Sequence, residues 1–197
     1  MKRILLTTIA AVLLVGCAKP PPPDISIHQA AKDGNIEAVK QHLAAGTDVN
    51  AKMLDGRTPL DWASGGYEGE PPEDKVARKE IADLLRKHGG KHGTIHTAAK
   101  AGDAEAVKEF LAAGTDVNAK DDSGWTPLPF ATTKEIAKLL IAEGADVNTK
   151  DENSLTPLDL AIQNQGSVMY PGRQEETAAL LRKHGAKTGE ELKAEGK

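Results

Sequence analysis

The sequence has few cysteines, few aromatic residues and no excess of positive charge. Its 197 residues include one cysteine, which excludes an internal disulfide framework. Only six residues are aromatic, so a core has to be built from Ala, Leu, Ile and Val, which favours thin helical layers. The net charge of −4 argues against nucleic acid as a partner. With 39% apolar residues the chain is nevertheless expected to fold, as one ordinary domain or a short repeat array.

The single cysteine, Cys17, follows an apolar N-terminal segment. Two basic residues precede a mostly apolar run at 4–15, which is too short to span a bilayer and is typical of a signal peptide. The run ends in Leu-Val-Gly-Cys at 14–17, which resembles the lipobox of bacterial lipoproteins. The resemblance implies cleavage after Gly16 and lipidation of Cys17. The alternative is a plain secretory signal with an incidental cysteine.

Lipidation of Cys17 would attach the protein to a bacterial cell envelope. Ala18 follows the cysteine, and the absence of Asp there implies sorting to the outer membrane in many diderm bacteria, with the protein facing the periplasm. We therefore expect a signal peptide at 1–16, then the lipidated cysteine and a proline-rich linker at 17–24. The prolines favour an extended spacer between the membrane and the folded part.

The rest of the chain repeats itself. Residues 26–52 and 94–120 are identical at 20 of 27 positions, so the repetition has to be interpreted first. In Thr-Pro-Leu strings, the threonine can cap a helix and the proline can occupy its first turn. These strings stand at 58–60, 126–128 and 156–158. Asp61 and Asp159 stand three residues after such a threonine, where we expect a carboxylate to meet the unsatisfied N–H groups of the helix start. Asp-Val-Asn triplets, each preceded by a glycine suited to a helix end, stand at 48–50, 116–118 and 146–148.

These strings resemble the ankyrin repeat, whose pattern is D-x-x-G-x-T-P-L-H-x-A-A-x-x-G followed by a second helix ending in G-A-D-V-N-A. The resemblance covers about 160 residues and recurs about five times. It implies an all-α repeat solenoid with short β-hairpins between the repeats. It also implies that the chain binds another protein, whose identity the sequence does not give.

Departures from the pattern divide the repeats into two related blocks. The segment His88–His96 reads HGGKHGTIH and is about eight residues too short to hold a hairpin. We expect block 1 at 25–92 with repeats one and two, block 2 at 93–189 with repeats three to five, and a polar tail at 190–197. The blocks either stack continuously or bend at Gly89–Gly93. We favour stacking, because two repeats alone would bury little surface.

No pattern in the sequence predicts catalysis. A phosphate-binding loop, a nucleophile elbow and a carboxylate pair are all missing, so we expect neither enzymatic activity nor a cofactor. His88, His92 and His96 have the spacing of metal ligands on a helix, but glycines interrupt that helix, so we expect no metal. The alternative function is a metal- or small-ligand-binding envelope protein that uses the inserted loops and the His88–His96 segment.

The expected contact residues lie at the variable positions of the D-x-x-G-x-T strings, which point outward in ankyrin stacks. They are Leu54, Arg57, Asp122, Trp125, Glu152 and Leu155. Trp125 and Arg57 are of the types that often anchor interfaces, although Trp125 could instead pack on its own hairpin. Tyr67 and Tyr170 lie in inserts between paired helices and form a candidate second contact site, the alternative being ordinary loop packing. Trp62 is expected in the core.

Overall fold

The computed structural model describes residues 20–65, 71–163 and 173–196. Over these ranges the chain forms helices joined by turns, without a β-strand. The helices are α1 (Ile27–Lys32), α2 (Ile36–Ala45), α3 (Pro59–Ser64), α4 (Pro72–Lys87), α5 (Ile95–Ala101), α6 (Ala104–Ala112), a 3₁₀ helix (Leu128–Phe130), α7 (Lys134–Ala142), α8 (Pro157–Gln163), α9 (Arg173–Lys183) and α10 (Gly189–Ala194). Up to α9 they follow one another as pairs of a shorter and a longer helix. None of them combines the length and the apolar character that a membrane span needs.

The first helix of a pair begins where the sequence provides a capping residue. Thr58 precedes α3, and its N–H donates to Asp61 Oδ2 at 2.8 Å in a capping box. Thr156 precedes α8, and its N–H donates to Asp159 Oδ2 at 2.8 Å. Both carboxylates therefore meet the unsatisfied N–H groups at a helix start, as predicted.

The fourth pair begins with the short 3₁₀ helix Leu128–Phe130 in place of an α-helix. Pro127 and Pro129 flank Leu128, and neither has an N–H to donate. Thr133 already caps α7, with its Oγ1 accepting the Ile136 N–H at 3.2 Å. Only Ala131 and Thr132 lie between the 3₁₀ helix and Thr133, which leaves no room for a longer helix.

The segments predicted as β-hairpins form tight turns, which we call finger 1 (52–57), finger 2 (120–125) and finger 3 (150–155). Two backbone hydrogen bonds close each turn. In finger 1 the Met53 N–H donates to Arg57 O at 2.9 Å, and Met53 O accepts the Gly56 N–H at 3.0 Å. Fingers 2 and 3 are closed by the equivalent two bonds. Both bonds of a finger involve the same residue on one side of the turn, which is too little for a pair of strands, so the predicted hairpins are not confirmed.

The asparagines of the Asp-Val-Asn triplets connect consecutive helix pairs. Asn50 Nδ2 donates to Gly89 O at 3.0 Å, and Asn50 Oδ1 accepts the Lys91 N–H at 2.7 Å. Asn118 and Asn148 each make the equivalent two bonds to the following pair. Each asparagine therefore fixes the backbone just after the second helix of the next pair.

The buried apolar side chains form two separate clusters. One includes residues from Ile27 to Leu85, and the other includes residues from Ile95 to Ala186. The division between them lies at 89–93, the segment that separates the two predicted blocks. Helices α3 and α5 are in contact across this division. The pairs therefore follow one another without a break in the chain of helix contacts, although the apolar core is interrupted.

The segment predicted as a polar tail contains helix α10. Thr188 and Glu191 form a capping box at its start, and Leu192 is buried. The Gly189 N–H donates to Asp159 Oδ2 at 2.8 Å, which connects the start of α10 to the start of α8. Helix α10 thus follows the last pair in the position that the first helix of a further pair would take.

Candidate functional site

A buried contact between a histidine and an aspartate joins the two apolar clusters. His92 Nδ1 lies 2.6 Å from Asp61 Oδ1, and both side chains are 1% exposed. On the other side of the ring, His92 Nε2 lies 3.6 Å from Asp103 Oδ2. Asp103 is the N-cap of α6, so His92 lies between carboxylates of the second and third helix pairs. We call Asp61, His92 and Asp103 the polar seam.

Asp61 is the main acceptor in the polar seam. Its oxygens accept hydrogen bonds from His92 Nδ1, the Thr58 N–H and the Gly93 N–H. Burial raises the pKa of Asp61, but these hydrogen bonds outweigh the burial and hold the pKa below its ordinary value. The carboxylate is therefore ionised at neutral pH and holds the chain that leads into α5 against the start of α3.

The residue at the position of Asp61 differs between helix pairs, depending on whether a finger follows the pair. In the first pair it is His28, whose Nε2 lies 2.7 Å from a backbone oxygen at the base of finger 1, and His96 contacts the base of finger 2 in the same way. Where the chain turns directly into the next helix, the residue is Asp61 or Asp159, which accepts a backbone N–H such as that of Gly93. The histidines therefore hold fingers 1 and 2, and an aspartate takes their position in the two pairs that no finger follows.

The missing finger leaves a cleft of about 1050 Å³ between fingers 1 and 2. Finger 1 contributes Asp55 and Arg57, finger 2 contributes residues 120–123, and helices α3 and α5 contribute Trp62, Thr97 and Lys100. The walls of the cleft thus come from segments more than sixty residues apart in the sequence. A preformed concave surface with aromatic and charged groups is typical of a binding site.

Trp62 lies in this cleft with two cations over its ring. Arg57 Cζ is 4.4 Å and Lys32 Nζ is 5.4 Å from the ring centroid. Such cation–π contacts stabilise exposed sites by about 0.5–1 kcal/mol. Arg57 also pairs with Asp55, with Nε and Oδ2 2.8 Å apart. Trp62 packs partly against the first apolar cluster, as expected, but its place in the cleft was missed because the sequence pattern identifies only the core position.

The six predicted contact residues all lie on the fingers. Three are exposed, namely Leu54, Asp122 and Glu152. Three are half-buried near the end of each turn, namely Arg57, Trp125 and Leu155. The Trp125 N–H donates to Asp121 Oδ1 at 2.9 Å, and its carbonyl lies 3.1 Å from His96 Nε2. The backbone of Trp125 thus closes its own finger.

The histidines of the 88–96 segment have separate roles. His88 is exposed at the end of α4, His92 is buried in the polar seam, and His96 contacts backbone oxygens. Across residues 20–65, 71–163 and 173–196, no three His, Cys, Asp or Glu side chains are grouped to hold a metal ion. Cys17, Tyr67 and Tyr170 lie outside these ranges, so lipidation and the second contact site stay predictions.

Comparison with known proteins identifies the repeats. Residues 95–191 match the family model for ankyrin repeats in three copies. Residues 95–191 carry ankyrin repeats. Outside the matched region, Asn50 makes the same connection between pairs as Asn118 and Asn148. The total number of ankyrin repeats stays a prediction.

The curated relatives share only part of their length with this chain. Acyl-CoA-binding domain-containing protein 4 of Oryza sativa subsp. japonica is 51% identical over 37 residues, 19% of this chain and 11% of that protein. Neurogenic locus notch homolog protein 1 of Rattus norvegicus is 31% identical over 138 residues, 64% and 5% of the two chains. Zygote-specific protein 3 of Chlamydomonas reinhardtii is 31% identical over 141 residues, 70% and 37% of the two chains. This chain thus spans at most 37% of these relatives.

Ankyrin repeats are protein–protein interaction modules and are generally non-catalytic. The matched repeats therefore indicate a protein–protein interaction module, which is the function class expected from the sequence. Such a fold by itself does not identify the protein that is bound.

Proposed function

We propose that this chain is a lipid-anchored ankyrin-repeat protein of the bacterial cell envelope that binds a partner protein through its fingers. The observation that carries the proposal is the exposure of Leu54, Asp122 and Glu152 on three successive fingers, two of which border the cleft. Contacts on three fingers and one cleft offer a partner an extended surface, as repeat proteins do.

The fingers offer this surface in a fixed form. Backbone hydrogen bonds close each finger, and His28 and His96 hold the bases of fingers 1 and 2. Arg57 is held by Asp55 and Trp62 at the wall of the cleft. Binding to such a surface loses little conformational entropy, because the contact groups are already in place.

The anchor part of the proposal rests on the sequence. Residues 14–17 resemble a lipobox, and Cys17 is the single cysteine of the chain. Two or more acyl chains at Cys17 would give a stable membrane anchor, since each buried methylene contributes about 0.8 kcal/mol. In this proposal the protein is attached to the outer membrane and faces the periplasm. Confinement to the membrane raises its effective concentration toward a partner in the same membrane.

Crosslinked capture from the cell envelope tests both parts. The full chain is compared with a tip variant (Leu54→Ser, Asp122→Ser, Glu152→Ser), a control variant (Val76→Ser, Glu80→Ser, Glu135→Ser) and Cys17→Ala. The control changes one apolar and two acidic residues that are exposed on second helices. Captured proteins are identified by mass spectrometry, and lipidation is measured by incorporation of labelled palmitate.

We expect wild type and control to capture the same protein and the tip variant to lose it. Equal capture by the tip variant would contradict binding through the fingers. We expect Cys17→Ala to lose the palmitate label and to leave the membrane fraction. A label that stays with Cys17→Ala would contradict the anchor.

A further inference from the structure

Each finger begins with a lysine, and the two residues after that lysine differ between the fingers. They are Asp121 and Asp122 in finger 2, Asp151 and Glu152 in finger 3, but Met53 and Leu54 in finger 1. Met53 is 46% exposed, and Leu54 is fully exposed, more than any other large apolar side chain in the described ranges. Finger 1 therefore presents two adjacent apolar residues to water where the other fingers carry acids.

The aspartates that stand at the position of Met53 stabilise their own fingers. Asp121 Oδ1 accepts the N–H groups of Ser123 and Trp125 at 3.0 and 2.9 Å. Asp151 Oδ1 accepts the two equivalent N–H groups of finger 3 at 2.9 and 2.7 Å. Such hydrogen bonds from backbone to side chain stabilise a turn. The Met53 side chain has no carboxylate to accept them, so an aspartate would stabilise finger 1 better than this methionine does.

The stability of the fold therefore does not explain Met53 and Leu54. Asp55 Oδ1 accepts the Arg57 N–H at 3.1 Å, which replaces only one of the two bonds that the other fingers have. Exposed apolar side chains lower the free energy only when another surface removes them from water. The pair is thus suited to a contact with a second molecule.

Fingers 2 and 3 offer charge at the position of Leu54. Asp122 and Glu152 are exposed there, so the three fingers present an apolar, an acidic and an acidic residue in chain order. A partner that contacts all three needs an apolar pocket opposite finger 1 and basic side chains opposite fingers 2 and 3. The reverse direction would place its cations on Leu54 and its pocket on Glu152, so this order also fixes the direction of binding.

We propose that the partner is a protein with an apolar pocket for Met53 and Leu54 and with basic side chains next to it that pair with Asp122 and Glu152. The inference rests on the function proposed above and specifies the chemistry that its binding site recognises. Finger 1 supplies the apolar anchor of the contact, and the acidic residues of fingers 2 and 3 set its orientation.

Exchange of the apolar pair for the acids of finger 2 tests the anchor. In Met53→Asp/Leu54→Asp the carboxylate introduced at position 53 can accept the N–H groups of the turn. We expect this variant to be at least as stable to urea as wild type, yet to capture the partner from the cell envelope at least about tenfold less well. Val76→Asp is the matched control, because it changes an exposed apolar residue on α4. We expect the control to keep full capture. A variant less stable than wild type, or undiminished capture, would overturn the anchor.

Photo-crosslinking shows what each finger contacts. In the full chain, Met53 on finger 1 or Asn153 on finger 3 is replaced by a benzophenone amino acid, since both side chains are exposed. The crosslinked peptides are sequenced by mass spectrometry. We expect position 53 to crosslink an apolar peptide and position 153 a peptide rich in Lys and Arg, both from one protein. Crosslinks from position 53 to lipid, to a second copy of this chain or to a basic peptide would overturn the proposal.

The two proposals fail in different ways. If the tip variant loses the partner but Met53→Asp/Leu54→Asp keeps it, the fingers bind through their acids and the apolar anchor is wrong. If the tip variant keeps the partner, binding through the fingers is itself wrong. The absence of crosslinks at both positions would contradict both proposals.

Discussion

At the scale of single residues, the polar seam determines how the two parts of the molecule are joined. A buried charge is tolerated only when it is paired and hydrogen-bonded. Asp61 meets this condition through His92, Thr58 and Gly93. Asp159 is the matching residue in the last pair, where Thr188 takes the position of His92. The comparison of the two aspartates isolates the contribution of the buried histidine.

Asp61→Asn should therefore cost more stability than Asp159→Asn. We expect a loss of about 3 kcal/mol at neutral pH for Asp61→Asn, because the buried His92 Nδ1 loses its hydrogen bond to a carboxylate. For Asp159→Asn we expect a loss of about 1 kcal/mol, the contribution of an ordinary hydrogen bond. Urea unfolding followed by circular dichroism measures both values. Equal losses would show that the contact between His92 and Asp61 adds nothing to stability.

Comparison of wild type with Asp61→Asn also gives the pH dependence of the polar seam. The pKa of Asp61 is lower in the folded chain than its ordinary value, so ionisation of Asp61 favours folding. This stabilisation is present above the ordinary pKa of aspartate and is lost as the pH falls through the lowered one. In acid the free energy of unfolding should fall more steeply for wild type than for Asp61→Asn. Parallel pH profiles would contradict the prediction.

At the scale of elements, helix α10 covers the end of the last pair. Leu192 is its buried residue, and the Arg182 guanidinium, which donates to Glu191, lowers the pKa of Glu191 to about 2. Lys187 pairs with Glu195 next to the helix. The polar helix α10 thus stands next to the last pair, a place where repeat proteins need a polar cap.

Leu192→Ala should lower the free energy of unfolding by about 2 kcal/mol, because it removes a buried side chain. Glu190→Ala is the matched control, since Glu190 lies in the same helix and is exposed. We expect the control to stay within about 0.5 kcal/mol of wild type. Thermal and urea unfolding of the two variants check this difference, and similar values for both would mean that α10 does not cap the stack.

The elements also show how far the sequence predicts this structure. The capping roles of Asp61 and Asp159 depend on neighbours three residues away and were predicted correctly. Helix α10 was missed because its sequence is polar apart from Leu192, and its docking depends on a backbone N–H. The shortage of residues at 88–96 was recognised. The cleft that it opens was not, because its walls are distant in the sequence.

At the scale of the whole molecule, two apolar clusters are joined by polar contacts. The stability of a repeat array is approximately the sum of the stabilities of its repeats and of the interfaces between neighbours. The interface at the polar seam buries the polar side chains of Asp61 and His92 between the two apolar clusters. The smaller cluster, between Ile27 and Leu85, thus receives less support from its neighbour than the helices within either cluster receive from each other.

Native-state hydrogen exchange should therefore show two levels of protection. We expect amides of α2 and α4 to exchange through an opening of lower free energy than those of α7 and α9. Asp61→Asn should widen this difference, since it weakens the contact that couples the two clusters. A single opening free energy across all four helices would show that the chain unfolds as one unit in spite of the seam.

The start of α10 makes the same hydrogen bonds to the last helix pair as the segment before α5 makes to the second pair. Gly189 donates to Asp159 as Gly93 donates to Asp61, and Thr156 and Thr58 each donate to the backbone carbonyl two residues before that glycine. A further block spliced on at Gly189 would find its docking groups already present. Tandem duplication of one block could therefore lengthen this protein in steps, without the evolution of a new interface at each addition.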